Sequence, residues 1–114
     1  MDIEAIIITH LSDNGHAAFA DVPEMRPDTF VTMELVGGAN DGAAIERPSV
    51  VVQCWAPTRY EASQLAHTVD ACVRSLPEVD DRIIKCTRNG LYNYPDLESG
   101  HPRYQILFNL VTFI

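Results

Sequence analysis

The chain is short of positive charge: eight Lys and Arg stand against 16 Asp and Glu, a formal net charge of −8 at pH 7. Seven of those carboxylates fall between Asp2 and Glu34, with Arg26 the one cation among them. Wrapping around nucleic acid needs clustered Lys and Arg on the phosphates, and this chain has no such cluster. An anionic membrane surface is disfavoured for the same reason. No apolar run reaches membrane-spanning length. The acidic start Met1-Asp2-Ile3-Glu4 lacks the basic flank of a secretory signal, so synthesis in a cytoplasm is expected.

Cysteine is also sparse. Cys54, Cys72 and Cys86 are odd in number and widely spaced, which fits buried free thiols rather than a disulfide framework. Zinc would call for close ligand pairs, and none occurs. His10, His16, His67 and His101 are not spaced as a helical metal pair. The serines have no nucleophile-elbow setting, and Asp80-Asp81 reads as a solvated turn rather than an acid–base pair. No catalytic residue, cofactor site or metal site is therefore assigned.

What is present is an ordinary globular composition in 114 residues, enough for one domain with one core, 1–114. The clearest stretch is Pro48 to Leu76. Val50, Val51 and Val52 suit a strand that runs through Gln53, Cys54 and Trp55 and stops at Ala56-Pro57. Thr58 and Glu61 form a capping box, and Leu65, Val69, Cys72, Val73 and Leu76 give the helix behind it an apolar face.

Before this unit, Ile3, Ile6, Ile7 and Leu11 share one helical face, although three consecutive isoleucines also suit a strand. Gly15 marks the expected stop. A short strand is expected near Ala17–Asp21, then a turn between Pro23 and Pro27, then a strand over Thr29–Val36. Gly37–Gly42 reads as a flexible loop; it lacks the lysine and the following helix of a phosphate-binding loop.

After the helix, Pro77 and Asp80-Asp81 make a turn and Arg82–Thr87 a strand. Arg88-Asn89-Gly90 reads as a turn or a bulge, with Asn-Gly favouring the turn. Leu91–Tyr94 continues extended, Asp96–Pro102 is a loop, and Arg103–Ile114 is a long strand apolar on both faces. The expected fold is α+β: a mixed, mostly antiparallel sheet of about four to five strands with two helices on one face.

Several segments in this order resemble the tail terminator (tail completion) proteins of siphophages, in particular those of actinobacterial phages and prophages. They are Asp28–Glu34, Gly37-Gly38, Arg47-Pro48, Val52–Ala62 with its Gln53-Cys54-Trp55-Ala56-Pro57-Thr58 junction, Leu91–Asp96 and Arg103-Tyr104-Gln105. The resemblance covers about Val22 to Thr112. It implies a virion protein without catalytic residues that forms a ring, usually a hexamer, at the head-proximal end of the tail tube. Such a ring stops polymerisation of the major tail protein and meets the head–tail connector or stopper protein. DNA passes through its lumen without specific binding, and an acidic wall suits that passage.

A ring uses two different sticky surfaces on each subunit. Asp41, Arg47, Tyr92, Tyr94, Arg103 and Phe113 are the interface candidates, on the long loop, the tyrosine-rich strand end and the final strand. The alternatives are another ring component of the head–tail connector, or a small-molecule-binding or enzymatic domain with Gly37–Gly42 and Trp55 beside a pocket.

Overall fold

The computed structural model describes residues 1–40 and 44–113. The interface candidate Asp41 lies outside the described residues. The order of elements is α1 (Ile3–Asp13), β1 (Ala18–Phe19), β2 (Phe30–Asn40), β3 (Ile45–Trp55), α2 (Arg59–Arg74), α3 (Leu76–Val79), β4 (Ile83–Asn93) and β5 (Arg103–Phe113). The five strands form one sheet in the order β1-β2-β3-β5-β4. Only the β1–β2 pair is parallel. The fold is α+β with a mixed, mostly antiparallel sheet.

The triple isoleucine is helical. Asp2 caps α1, its carboxylate accepting from the Ala5 amide at 3.1 Å. Ile3, Ile7 and Leu11, four residues apart, enter the core, and Gly15 leaves the helix at φ +88. On α2, the Thr58 hydroxyl accepts from the Glu61 amide at 3.2 Å and donates to the Glu61 carboxylate at 3.1 Å. The glutamate thus meets the cap hydroxyl rather than the cap amide. The buried stripe of α2 is Ala62, Ala66, Val69, Asp70 and Val73, with Leu65 and Cys72 partly buried. The helix stops at Arg74, and Leu76 and Pro77 belong to the short α3 instead of a plain turn. Proline suits that first turn, where its missing amide has no helical partner.

Both longer helices lie on the same face of the sheet. Ile7 and Leu11 of α1 and Val69 and Val73 of α2 share one core with Val31, Val52, Ile106 and Phe108 of the strands. Period-2 alternation in β3 sends Val50, Val52 and Cys54 into this core and Ser49, Val51 and Gln53 to the helix-free face. In β5, Ile106, Phe108, Leu110 and Thr112 face the helices.

Two readings of glycine are corrected. Gly37–Asn40 are not a loop; they continue β2 against β3, with Gly37 opposite Ser49 and Asn40 opposite Glu46. The strand survives because β3 begins at Ile45, early enough to pair with them. Gly38 suits that approach: a Cβ there would sit 3.3 Å from the Pro48 Cα, a tight contact that β3 would have to yield to by a few tenths of an ångström. Arg88-Asn89-Gly90 is a bulge rather than a turn. The register to β5 slips between Arg88 and Gly90, while β4 stays paired on both sides of it. Continuous pairing with β5 outweighs the local turn preference of Asn-Gly.

Candidate inter-subunit surface

The five described interface candidates all fall on the helix-free face. Tyr92 pairs with Gln105, which pairs with Gln53, and Gln53 alternates away from the core residues Val52 and Cys54. Tyr94 and Arg103 lie one step further along the same face, beside Trp55. Phe113 pairs with Ile45 at the opposite end of the sheet, and Arg47 follows Ile45 on the same face of β3. The structure therefore gathers Tyr92, Tyr94 and Arg103 at one corner and leaves Arg47 and Phe113 at the other end.

The first corner is built on Trp55. Its indole stacks on Phe30 with centroids 5.5 Å apart and planes within 7°. The guanidinium carbons of Arg26 and Arg103 each lie 4.9 Å from the Trp55 ring centre. Arg103 also covers the Tyr94 ring at 4.9 Å, and its Nε donates to the Tyr94 carbonyl at 2.8 Å. Tyr94 in turn meets Tyr92 edge-on at 6.1 Å. Trp55 is only 4% exposed, so it is a packed centre and not an open stacking platform. Tyr92 and Tyr94 remain accessible around it. Trp, Tyr and Arg in one cluster are the residue types that concentrate binding energy at protein interfaces.

Next to this cluster a chain of side-chain hydrogen bonds crosses the sheet. Trp55 Nε1 donates to Thr32 Oγ1 at 3.0 Å, and Thr32 Oγ1 donates to Gln53 Oε1 at 3.4 Å. Gln53 Nε2 donates to Gln105 Oε1 at 3.0 Å, and Gln105 Nε2 donates to the Tyr92 hydroxyl at 2.6 Å. Thr32, Gln53, Gln105 and Tyr92 sit directly opposite one another on β2, β3, β5 and β4. Their polar groups are matched to each other, which holds this face in one arrangement. A cavity of about 360 Å³ opens over the row, with Asp21, Val22 and Glu34 on its walls.

The two outer edges of the sheet differ. On one side β1 pairs with β2 only at Val31 and Thr32. Beyond it the Leu35 amide is taken by the carboxylate of Glu4, from α1, at 2.7 Å. Leu35 and Val36 are 46% and 52% exposed there. On the other side β4 carries Lys85 and Arg88 and no carboxylate, and its register slips twice, at Ile83/Lys85 and at Arg88/Gly90. Charges and bulges of this kind restrict what a strand edge accepts.

The groups with chemistry of their own are occupied elsewhere. Burial pushes the Cys54 and Cys72 thiols up, and burial with the Asp70 carboxylate nearby pushes Cys86 up to about 12. All three are free thiols. His10 Nε2 lies 2.8 Å from the Cys72 carbonyl and 3.1 Å from Ser75 Oγ, tying α1 to the end of α2. Among the described residues, no group of three or more His, Cys, Asp or Glu is placed to hold a metal ion. No described helix is long and apolar enough to cross a membrane. No protein-family model matches the chain, and no curated protein matches its sequence.

Arg26, Thr32, Gln53, Gln105 and Glu4 are the residues that sequence reasoning passed over. Gln53 and Gln105 left a signal: each is a glutamine inside a run of strand-forming apolar residues, at an outward position.

Proposed function

We propose that the protein is a structural tail terminator of a siphophage. In this reading, copies form a ring, a hexamer by the family resemblance, at the head-proximal end of the tail tube. The ring stops tube growth and joins the tube to the head–tail connector or stopper protein. Its location is the virion tail, after synthesis in the host cytoplasm. DNA passes through the lumen without specific binding. The protein has no enzymatic role and takes no cofactor.

The observation that carries this reading is the pair of unlike edges on one sheet. A closed ring is built head to tail, so each subunit presents two different surfaces to its neighbours. Here β2 ends in an apolar, glycine-containing edge flanked by carboxylates, and β4 ends in a cationic edge. The order of segments resembling tail terminators supports the same reading. So does the Trp55–Arg103–Tyr94 corner, a surface suited to a protein partner.

The test is to mix the purified protein with tubes of the major tail protein encoded by the same genome, and to examine the mixture by negative-stain microscopy and native mass spectrometry. Rings seated on one end of the tubes, with tube length arrested, are expected. A monomer that neither forms rings nor caps tubes overturns the reading.

A further inference from the structure

We propose that the Leu35–Ala39 edge of β2 accepts β4 of a second copy of this chain, at Lys85–Arg88, and that Glu4 is the latch that keeps this edge shut in the free subunit. This rests on the ring reading above and names the strands that would form its contact.

Three observations converge on this pairing. The first is direction. β2 is antiparallel to β3, β3 to β5 and β5 to β4, so β2 and β4 run in opposite senses. A neighbour's β4 laid beside β2 by rotation about an axis along the strands is antiparallel to it and continues the sheet.

The second is level. Leu35 pairs with Val50, Val50 with Phe108 and Phe108 with Arg88. Gly37 leads likewise through Ser49 and Asn109 to Thr87. The part of β2 that β1 leaves uncovered is therefore level with Thr87 and Arg88 on the far edge. On that edge the two register slips bracket Lys85–Arg88 and leave it as a regular run. The other regular run, Gly90–Asn93, is level with Val31–Glu34, where β1 already pairs at Val31 and Thr32. A rotation brings equal levels together, so the uncovered stretch meets Lys85–Arg88.

The third is charge. Glu4 of α1 and Glu34 of β2 flank the first edge, where β2 has no cation. Lys85 and Arg88 lie on the second, where β4 has no carboxylate. Arg88 also donates to Asp70 of α2 at 3.2 Å while 44% of its side chain stays exposed, so Lys85 carries the larger share of the charge. Opposite signs favour the head-to-tail contact over either edge meeting its own copy.

Glu4 gives the contact a control. Its carboxylate accepts from the Leu35 amide, a backbone donor that points away from β3. An incoming strand must take that donor over. The released carboxylate then faces the cationic side of the arriving strand, with Arg88 at the level of Leu35. An exposed backbone donor already satisfied from within is less prone to pair at random.

The experiment is sedimentation velocity over a concentration series, on the whole chain and its variants. Glu4→Ala opens the latch, and self-association is expected at concentrations tenfold or more below those the unmodified protein needs. Leu35→Pro removes the amide at issue and costs no bond to β3, because that amide faces outward. Added to Glu4→Ala, it is expected to abolish the gain. Lys85→Glu is expected to weaken association tenfold or more. Equal association of Glu4→Ala and the unmodified protein, or association untouched by Leu35→Pro, overturns the proposal. Should Leu35→Pro fail to fold, hydrogen exchange of the associated protein decides. Slowed exchange at both Leu35–Ala39 and Lys85–Arg88 supports the pairing, and unchanged exchange there overturns it. Rings that form on tubes despite Leu35→Pro would sink this pairing and leave the terminator reading standing. Failure of the unmodified protein to cap tubes would sink that reading instead.

Discussion

Arg88 on β4 reaches across to Asp70 on α2 and donates to its carboxylate at 3.2 Å. Asp70 is 3% exposed, and Arg74, one turn further along the helix, holds the same carboxylate through two hydrogen bonds of 3.0 and 2.8 Å. A buried carboxylate is kept in the core by two arginines whose own side chains are nearly half in water. The arrangement fastens the helix layer to the β4 edge, the edge proposed to meet a neighbour.

The two ends of this linkage are expected to respond unequally. Asp70→Asn loses charge-assisted bonds at a buried position and should cost about 2 kcal/mol. Arg88→Ala leaves Arg74 on the carboxylate and should cost about 1 kcal/mol or less. Urea denaturation of both variants checks the ranking. Equal losses would show that Arg74 does not hold Asp70 alone.

Thr32→Val tests the hydrogen-bonded row. The substitution keeps the shape and leaves the buried Trp55 indole N–H without its acceptor, at a cost of about 1–3 kcal/mol. Thermal unfolding measures it. Gln105→Leu, at a half-buried position at the accessible end of the row, should cost less than Thr32→Val. A reversal of that order would place the weight of the row on the glutamines.

Folding and assembly should separate at the Trp55 corner. Tyr94 is 48% exposed and stacks on Arg103, so Tyr94→Ala is expected to cost about 1 kcal/mol or less and to weaken tube capping. Val52 is fully buried, and Val52→Asp is expected to abolish both folding and capping by burying an unpaired charge. Circular dichroism and tube-capping counts on the two variants decide it. An unfolded Tyr94→Ala protein would contradict the division.

Acid should loosen the turn ahead of β4. Hydrogen bonds from the Arg82 side chain and amide hold the Asp80 carboxyl below its usual range. A carboxyl depressed in the folded state stabilises above its unfolded pKa, and that contribution is lost as pH falls through the folded value. Stability should therefore drop below about pH 4. In Asp80→Asn this part of the acid response should be missing, as read from urea midpoints at neutral and acid pH.

Much of the fold can be read from single segments because the responsible chemistry is local. Thr58 and Glu61 cap α2 within one turn, and Ile3, Ile7 and Leu11 repeat at the helical step. The β-branched run Val50–Val52, stopped at Ala56-Pro57, marks β3 as a strand. Glycine misled where tertiary pairing outweighed local preference, at Gly37–Asn40 and at Arg88–Gly90. The surface was less legible, because its bonds join residues distant in the chain. Gln53 and Gln105 are 52 positions apart and Glu4 and Leu35 are 31 apart, and nothing in one strand states its register against another. Tyr92, Tyr94 and Arg103 were legible as a group, since aromatic and arginine side chains near a strand end are unusual enough to mark. That they close around Trp55 was not.

Trp55 has a practical consequence. It is the chain's single tryptophan, packed on Phe30 and flanked by two guanidinium groups at the corner where a partner is expected. Its emission is therefore an intrinsic optical gauge of that corner. Any molecule that draws Arg103 or Tyr94 away from the indole alters the fluorescence without an added dye, so docking at this corner can be timed in a stopped-flow cell with the unmodified protein.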